Sequence, residues 1–195
     1  MINITEIKVG ILKTNCYILD IGKTDAVVID PGAEAEKLLS YLDENNLVPK
    51  AILLTHLHFD HTGAVKEIAQ RFNIKVYMSG FGTSDAVDER YVEKIGEGSR
   101  VEAGGMEFKV LAVPGHSPES VCYLIEDNLF TGDTVFRLTV GRIDLPGGNL
   151  SDMKQSLRRI KELPFDDLNI YPGHMQKTTL RFERENNTCL DEDFF

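Results

Sequence analysis

The segment Thr55-His56-Leu57-His58-Phe59-Asp60-His61 (THLHFDH) places three of the chain's five histidines and one aspartate within seven residues. It directly follows the apolar residues 51–54, which are predicted to form a short buried strand. Just past a strand end, the i, i+2 spacing of His56 and His58 can aim both rings at one point, whereas on a helix they would face different sides. Asp60 and His61 follow in the next turn and can surround a second point nearby. This cluster of imidazole and carboxylate groups predicts a metal site.

The other two histidines occupy similar positions in the sequence. His116 follows a predicted strand at residues 106–112, and His174 follows one at 169–171, each directly after a Pro-Gly pair. Asp133 comes after a predicted strand at 129–130. A single histidine at a strand end is more often a hydrogen-bonded polar residue than a metal ligand. Here all five histidines lie at strand ends in loops marked by Gly or Pro, which predicts that these three residues join the same site.

The number of candidate ligands indicates how many ions the site holds. A tetrahedral ion takes four ligands, whereas two ions about 3.5–4 Å apart can share a carboxylate and a hydroxide. Imidazole and carboxylate ligands without thiolate suit zinc, iron or manganese, and we expect two divalent ions, zinc before iron or manganese. The seven candidates are His56, His58, Asp60, His61, His116, Asp133 and His174.

Composition narrows the class of protein. The 195-residue chain has a net charge of −10 and a pI of about 5.0, which disfavours a nucleic-acid partner because phosphate binding needs clustered Lys and Arg. No stretch approaches the roughly 20 apolar residues of a membrane span, and the N-terminus carries no apolar signal core. The three cysteines are widely spaced, which favours a reducing compartment. We therefore expect a cytoplasmic protein with a small-molecule substrate and one domain over residues 1–195.

Apolar periodicity predicts an α+β fold with many short strands. A strand at 25–30 is followed by a helix at 33–46 and the strand at 51–55, and the sequence ends each strand in a polar group. The second half repeats this order, with strands at 129–130 and 169–171 around a helix at 152–161 that Ser151 caps. The repetition predicts two similar β-rich halves packed face to face. Further strands are predicted at 4–11, 14–21, 74–78, 100–101, 106–112 and 120–125, a helix at 63–72, and a loop at 81–98 containing a short helix at 84–95.

Several segments together resemble the metallo-β-lactamase superfamily. THLHFDHTG is similar to its Thr-His-x-His-x-Asp-His-x-Gly signature. The resemblance implies an αββα sandwich with metals at one edge between two sheets. It also implies that His56, His58 and His116 hold the first metal, that Asp60, His61 and His174 hold the second, and that Asp133 bridges them. The other matching segments are Asn15-Cys16-Tyr17, Val28-Ile29-Asp30-Pro31-Gly32, Pro114-Gly115-His116-Ser117-Pro118, Phe130-Thr131-Gly132-Asp133-Thr134 and Tyr171-Pro172-Gly173-His174.

Within the superfamily, Phe136-Arg137 and residues 141–148 (GRIDLPGG) resemble the glyoxalase II-like thioester hydrolases, particularly their short bacterial branch. The implied activity is hydrolysis of S-lactoylglutathione or a similar thioester by a metal-bound hydroxide. Two departures bear on glutathione. Glu119 stands where this family usually has Gly, and only about twenty residues follow His174, so the helical domain that contacts glutathione in larger members is expected to be absent.

Three further residues are candidates for orienting a ligand or contacting the substrate. Asp30 either accepts a hydrogen bond from a ligand histidine or only shapes the turn at Pro31. Arg142 either forks onto a substrate carboxylate or pairs with Asp144. Arg137 is a further candidate for substrate contact, and together with Arg142, Arg181 and Arg184 it could attract an anionic thiol carrier if it lined the mouth of the site.

The main alternative function is a sulfur (persulfide) dioxygenase. Such members of the superfamily hold one iron with a facial triad, matched here by His56, His116 and Asp133. A flavodiiron oxygen reductase is disfavoured because those proteins usually have Glu at the position of His58. A β-lactamase is disfavoured because those enzymes generally lack the bridging Asp and are exported. A binding module without activity would be expected to lose ligands, and none is missing.

Overall fold

The computed structural model describes residues 2–191 and contains two six-stranded sheets. In the first sheet the strands follow the chain order, with antiparallel pairing up to the third strand and parallel pairing after it. These strands are β1 (Asn3–Val9), β2 (Thr14–Gly22), β3 (Asp25–Ile29), β4 (Val48–Leu53), β5 (Lys75–Ser79) and β6 (Val92–Ile95).

The second sheet is built from the other half of the chain. Its strands are β7 (Arg100–Ala103), β8 (Met106–Ala112), β9 (Val121–Ile125) and β10 (Asn128–Gly132), then, after a small separate hairpin of β11 (Val135–Phe136) and β12 (Thr139–Val140), β13 (Asn169–Pro172) and β14 (Thr178–Thr179). The sheet order is β14-β13-β10-β9-β8-β7, and β10 pairs with β13 in parallel.

The two sheets pack face to face with helices on both outer faces. Alternation along β2 sends Tyr17 and Leu19 into the layer between the sheets, where they meet Phe108 and Phe130 of the second sheet. Cys16 and the other side of the strand pack under the helices of the first half. This αββα arrangement confirms the expected sandwich. The helices are α1 (Ala35–Glu44), α2 (Phe59–Thr62), α3 (Val65–Phe72), α4 (Leu150–Lys161) and α5 (Leu180–Asn186).

The repeated order of elements in the two halves is present in the structure. In each half, two strands lie side by side in parallel: β3 with β4, and β10 with β13. The carboxyl ends of parallel strands meet at the same edge of a sheet, so the residues that follow them come together. The polar groups that follow these four strands therefore collect along one edge of each sheet.

Some predicted elements are wrong or missing. The short helix expected at 84–95 is a 3-10 turn at Glu89–Tyr91 followed by β6, which gains backbone hydrogen bonds by adding to β5. The cap of α4 is Asn149, whose Oδ1 accepts from the Asp152 N–H, and Ser151 lies inside the helix. The strand pattern did not predict the β11–β12 hairpin, β14 or α5. No helix within residues 2–191 has both the length and the apolar character needed to cross a membrane.

Candidate metal centre

Three histidines form the first half of the candidate site. His56 and His58 follow β4, and His116 follows β8, so the two sheets meet here. One ring nitrogen from each lies within 4.8 Å of the other two. The Nδ1 of His58 is 2.9 Å from the Nε2 of His116, and the Nδ1 of His116 donates to the carbonyl oxygen of Arg142 at 2.6 Å. The rings of His56 and His58 therefore converge, as their i, i+2 spacing predicted, and His116 joins them from the other sheet.

Asp60, His61 and His174 form the second half. Asp60 and His61 lie in the short helix α2, and His174 follows β13. The Oδ2 of Asp60 is 3.2 Å from the Nε2 of His174 and 3.6 Å from the Nε2 of His61. Gly173 brings the backbone close to these groups, because a Cβ at this position would collide with the carboxylate of Asp133 and the ring of His61.

Asp133 lies between the two groups. Its Oδ1 is 3.4 Å from the Nε2 of His61, and its Oδ2 is 3.5 Å from the Nε2 of both His116 and His174. One carboxylate thus touches ligand nitrogens of the first group and of the second. This is the position that a bridging carboxylate must occupy.

The donor atoms at the centre of the cluster fit a metal. Among the described residues, the buried side-chain nitrogen and oxygen atoms without a hydrogen-bond partner are His56 Nε2, His61 Nε2, Asp133 Oδ1 and Thr134 Oγ1. The first three point into the cluster. Burying such groups unpaired costs free energy, and buried polar atoms in native proteins nearly always have a partner. Divalent ions would satisfy all three, and the seven side chains would supply imidazole and carboxylate ligands to them.

Burial and neighbouring charges set the protonation of the metal-free cluster. Burial, together with the nearby His61 and His116, lowers the pKa of His56 well below its usual value. Burial also opposes protonation of His61, but the Asp133 and Asp30 carboxylates outweigh it and raise the pKa of His61 to about 10. For Asp133, burial raises the pKa, but His61, His174 and His116 together outweigh burial and lower the pKa below its usual value.

A buried pair behind the cluster fixes two of the rings. The Oδ2 of Asp30 accepts from the Nδ1 of His61 at 2.9 Å and from the hydroxyl of Thr55 at 2.6 Å. Because that hydroxyl donates to Asp30, it accepts from the Nδ1 of His56 at 3.1 Å. A carboxylate can only accept, so the Nδ1 of His61 carries a proton and Nε2 is the ring atom that faces the centre. A bound ion would there replace the Nε2 proton that the metal-free ring holds at neutral pH. Asp30 and Thr55 thereby orient one histidine of each group.

Comparison with known proteins identifies the family. Residues 9–174 match the model of the metallo-beta-lactamase superfamily. The chain belongs to the metallo-beta-lactamase superfamily. Its relatives include the hydroxyacylglutathione hydrolase GloC of Haemophilus influenzae, 32% identical over 97% of this chain and 98% of the relative. The probable metallo-hydrolase YqgX of Bacillus subtilis is 33% identical over 94% of this chain and 95% of its own length.

Solved structures of superfamily proteins superpose over nearly the whole chain. The B3 metallo-beta-lactamase BLEG-1 has a TM-score of 0.87 at 32% identity and covers 97% of this chain and 100% of its own. ETHE1 from Myxococcus xanthus has a TM-score of 0.85 at 31% identity and covers 95% of this chain and 83% of its own. The di-iron-bound form of TTHA1623 has a TM-score of 0.82 at 34% identity and covers 94% of this chain and 98% of its own.

Asn15 supports the second ligand group of this metallo-beta-lactamase fold. Its backbone N–H donates to the Gly173 carbonyl at 2.7 Å, and its side-chain Nδ2 donates to the carbonyls of Pro172 and Met175 at 2.9 and 3.1 Å. The loop that carries His174 is therefore held from β2 of the other sheet. From the sequence alone, Asn15 is assigned no role beyond its place in the matching Asn-Cys-Tyr segment. A buried Asn within an otherwise apolar strand was the available signal.

We expect Asn15→Ala to weaken metal binding at the second group by about tenfold, the scale typical of losing a group that orients a ligand. The melting temperature should also fall, because an unsatisfied buried carbonyl costs about 1–3 kcal/mol. Zinc titration and thermal unfolding measure the two effects. Lys8→Met is the comparison variant, since it keeps the Asn15 amide but removes the Lys8 contacts with Asn15 Oδ1 at 2.7 Å, the Met175 carbonyl at 3.3 Å and Glu6 at 3.1 Å. Equal losses in both variants would contradict a specific role for the Asn15 amide.

Glu119, where the glyoxalase II-like proteins usually have Gly, contacts the ligand loop from the side. Its Oε1 accepts from the backbone N–H of Leu57 at 3.3 Å, between the ligands His56 and His58. A Cβ at Gly82 would lie 3.0 Å from the Cγ of Glu119. The side chain thus fills the space between the ligand loop and the 80–82 turn.

A cleft of about 810 Å³ opens in front of the two ligand groups. One wall is formed by His58, Asp60, His116, Asp133 and His174, and the cleft also contains Arg142. Arg142 forks onto Asp144 with two contacts of 2.6 Å, so the pairing alternative is the one observed. Arg137 lies over the Phe182 ring, 4.6 Å from its centroid, and does not line the cleft.

Proposed function

We propose that this chain is a metal-dependent thioester hydrolase with two divalent ions in the site described above. The observation that carries the proposal is the position of Asp133, which contacts His61 and His174 of one ligand group and His116 of the other. A mononuclear site would have no need of a carboxylate between two complete ligand sets. The GloC relative, named as a hydroxyacylglutathione hydrolase, supports the same chemistry.

The residues of the site would have different roles in thioester hydrolysis. Bound ions would supply a hydroxide at neutral pH and would polarise the thioester carbonyl. Asp133 would hold the two ligand groups in register, and Asp30 with Thr55 would keep His56 and His61 in the tautomer that offers Nε2 to the centre. The leaving thiolate needs no strong general acid. Consistent with this, the cleft wall carries no acid other than the ligand carboxylates among the described residues that line it.

Zinc is the ion we favour, with iron or manganese as alternatives. Imidazole and carboxylate ligands accept all three, so the ligand set alone does not choose. The di-iron-bound form of TTHA1623, a protein 34% identical to this chain, supports iron as the alternative to zinc. We also expect the protein to act in the cytoplasm on a small molecule, without a nucleic-acid or membrane partner.

An iron-dependent persulfide dioxygenase is the second candidate function. It is favoured by the likeness to ETHE1 from Myxococcus xanthus over most of both chains. Such an enzyme would need one iron on His56, His116 and Asp133, leaving Asp60, His61 and His174 without a catalytic role. The two functions therefore predict different metal contents and different consequences of losing the second group.

We expect about two metal ions per chain in protein purified without chelator, because the ligands exceed what one ion uses. Metal analysis gives the number, and thioester hydrolysis and oxygen uptake on a glutathione persulfide are measured with zinc and with iron loaded. His174→Ala should reduce the content to about one ion and abolish most thioester hydrolysis. One ion with full activity in the unaltered protein, or oxygen uptake that survives His174→Ala, would favour the dioxygenase.

A further inference from the structure

Most of the other side chains that line the cleft are apolar, and we call them the apolar wall. They come from the β1–β2 turn, α2, the β11–β12 hairpin, the loop before α4 and the loop after β13, and include Leu12, Phe59, Phe136, Leu145, Pro146 and Met175. Three of these side chains remain largely open to solvent, with Phe59 74% exposed and Leu12 and Met175 each 51% exposed. Large apolar groups gathered around an open cleft are typical of a ligand-binding groove.

Apart from the ions that the ligand groups would hold, no unpaired Lys or Arg lines the cleft among the described residues. Arg142 is the one Lys or Arg among the described residues that line it, and its guanidinium is forked onto Asp144. The other arginines that could have attracted an anion are engaged elsewhere. Arg137 stacks on Phe182, and Arg184 donates to the carbonyls of Lys161, Leu163 and Phe165. The carboxylates of an anionic thiol carrier such as glutathione would therefore find no unpaired Lys or Arg side chain in the cleft.

We propose that the substrate is an uncharged thioester carrying a long apolar chain, and that this chain lies along the wall formed by Leu12, Phe59 and Met175. This inference rests on the proposed thioesterase function and names its substrate class. The chain can belong to the acyl group or to the thiol, because both would present the same methylenes to the wall. Its thioester carbon would lie beside His58 and Asp133, which border the same cleft.

The first experiment uses the metal-loaded protein and two series of substrates. One series lengthens the acyl group from acetyl to octanoyl on the neutral thiol N-acetylcysteamine. The other keeps an acetyl group and lengthens a neutral alkyl thiol. In one of the two series we expect kcat/KM to rise by about fourfold for each methylene that the wall buries. S-lactoylglutathione, the anionic reference, should be turned over with a lower kcat/KM than the longest substrate of the series that responds.

The second experiment changes the wall at an exposed turn position that the fold tolerates. Leu12→Lys should lower kcat/KM for the longest substrate of the series that responds and raise it for S-lactoylglutathione, shifting the ratio by about tenfold, since it removes apolar contact and adds a cation. Ile11→Lys is the matched control, because Ile11 is the neighbouring residue of the same turn, is 92% exposed and does not line the cleft. It makes the same change in net charge and should leave the ratio unchanged.

The outcomes separate this inference from the proposed function. A flat dependence on chain length in both series, or a preference for S-lactoylglutathione, overturns the apolar-chain inference while thioester hydrolysis stands. Equal shifts in Leu12→Lys and Ile11→Lys also overturn it, because they would reflect net charge and not the wall. Absence of turnover for every thioester, with zinc or iron loaded, instead overturns the hydrolase assignment.

Discussion

Replacing Asp133 by alanine should cause the largest loss of activity of any single substitution in the chain. The change removes the carboxylate that contacts both ligand groups, leaving His116 on one side and His61 and His174 on the other without their shared partner. Two ions held so close would then repel each other without an anion between them. We expect kcat/KM to fall by at least the ~10²–10³-fold typical of losing one electrostatic stabiliser, and metal content to fall with it.

Two variants make this result specific to the bridging position. Asp133→Asn keeps the shape but removes the charge, so it should resemble Asp133→Ala in activity while unfolding at a higher temperature. Arg142→Ala removes a charged residue of the same cleft whose guanidinium is already paired with Asp144, and should cost orders of magnitude less. If Arg142→Ala were the more damaging change, Asp133 would be a turn residue and the site would be assembled differently.

The ligand cluster could be predicted because its chemistry is local in the sequence. His56, His58, Asp60 and His61 follow one another within a single strand end and turn, so residue type and spacing suffice to bring them together. His116 and His174 were predicted from the repeated Pro-Gly-His ending of two strands. The parallel pairing of β10 with β13 brings the end that carries His174 to that of Asp133. His116 reaches the same edge because β8 runs in the same direction as β10, with the antiparallel β9 between them.

The supporting contacts were harder to predict because they join distant parts of the chain. The Asn15 amide reaches the Pro172 carbonyl across 157 positions, and no local pattern encodes that partner. β6 is a strand because it adds to β5, whereas its own residues, with Glu93 and Lys94 exposed, carry a weak signal. α5 was missed for a similar reason: a seven-residue helix capped by Thr179 has little periodicity to detect.

Substituting Asp30 by asparagine should weaken the metal site through the tautomer of His61. Asp30 is buried and accepts from the Thr55 N–H at 2.8 Å, the Thr55 hydroxyl at 2.6 Å and the Nδ1 of His61 at 2.9 Å. The Thr55 N–H donates to Oδ1, whereas the Thr55 hydroxyl and His61 donate to Oδ2. An amide has only one accepting oxygen, so asparagine cannot accept at both positions. If its NH₂ group faces His61, the ring must accept at Nδ1 and carry its proton on Nε2, the atom that should bind metal. We expect a loss of about 10–100-fold in metal affinity, as for other groups that orient a ligand histidine.

The tautomer mechanism distinguishes Asp30→Asn from simple damage to the fold. Asn tolerates the positive φ of 50° at this position, so the backbone strain should not change. Excess zinc should then restore much of the activity of Asp30→Asn, because the defect is one of affinity. Asp30→Ala should not be rescued in the same way, since it also leaves the Thr55 N–H without an acceptor, at a cost of about 1–3 kcal/mol.

Asp43→Asn is the control, because it makes the same chemical change at an exposed carboxylate paired with Arg71. This variant should bind zinc like the unaltered protein. A loss in Asp30→Asn that zinc cannot reverse, with an unfolding temperature as low as that of Asp30→Ala, would mean that Asp30 serves the turn at Pro31 and not the histidine.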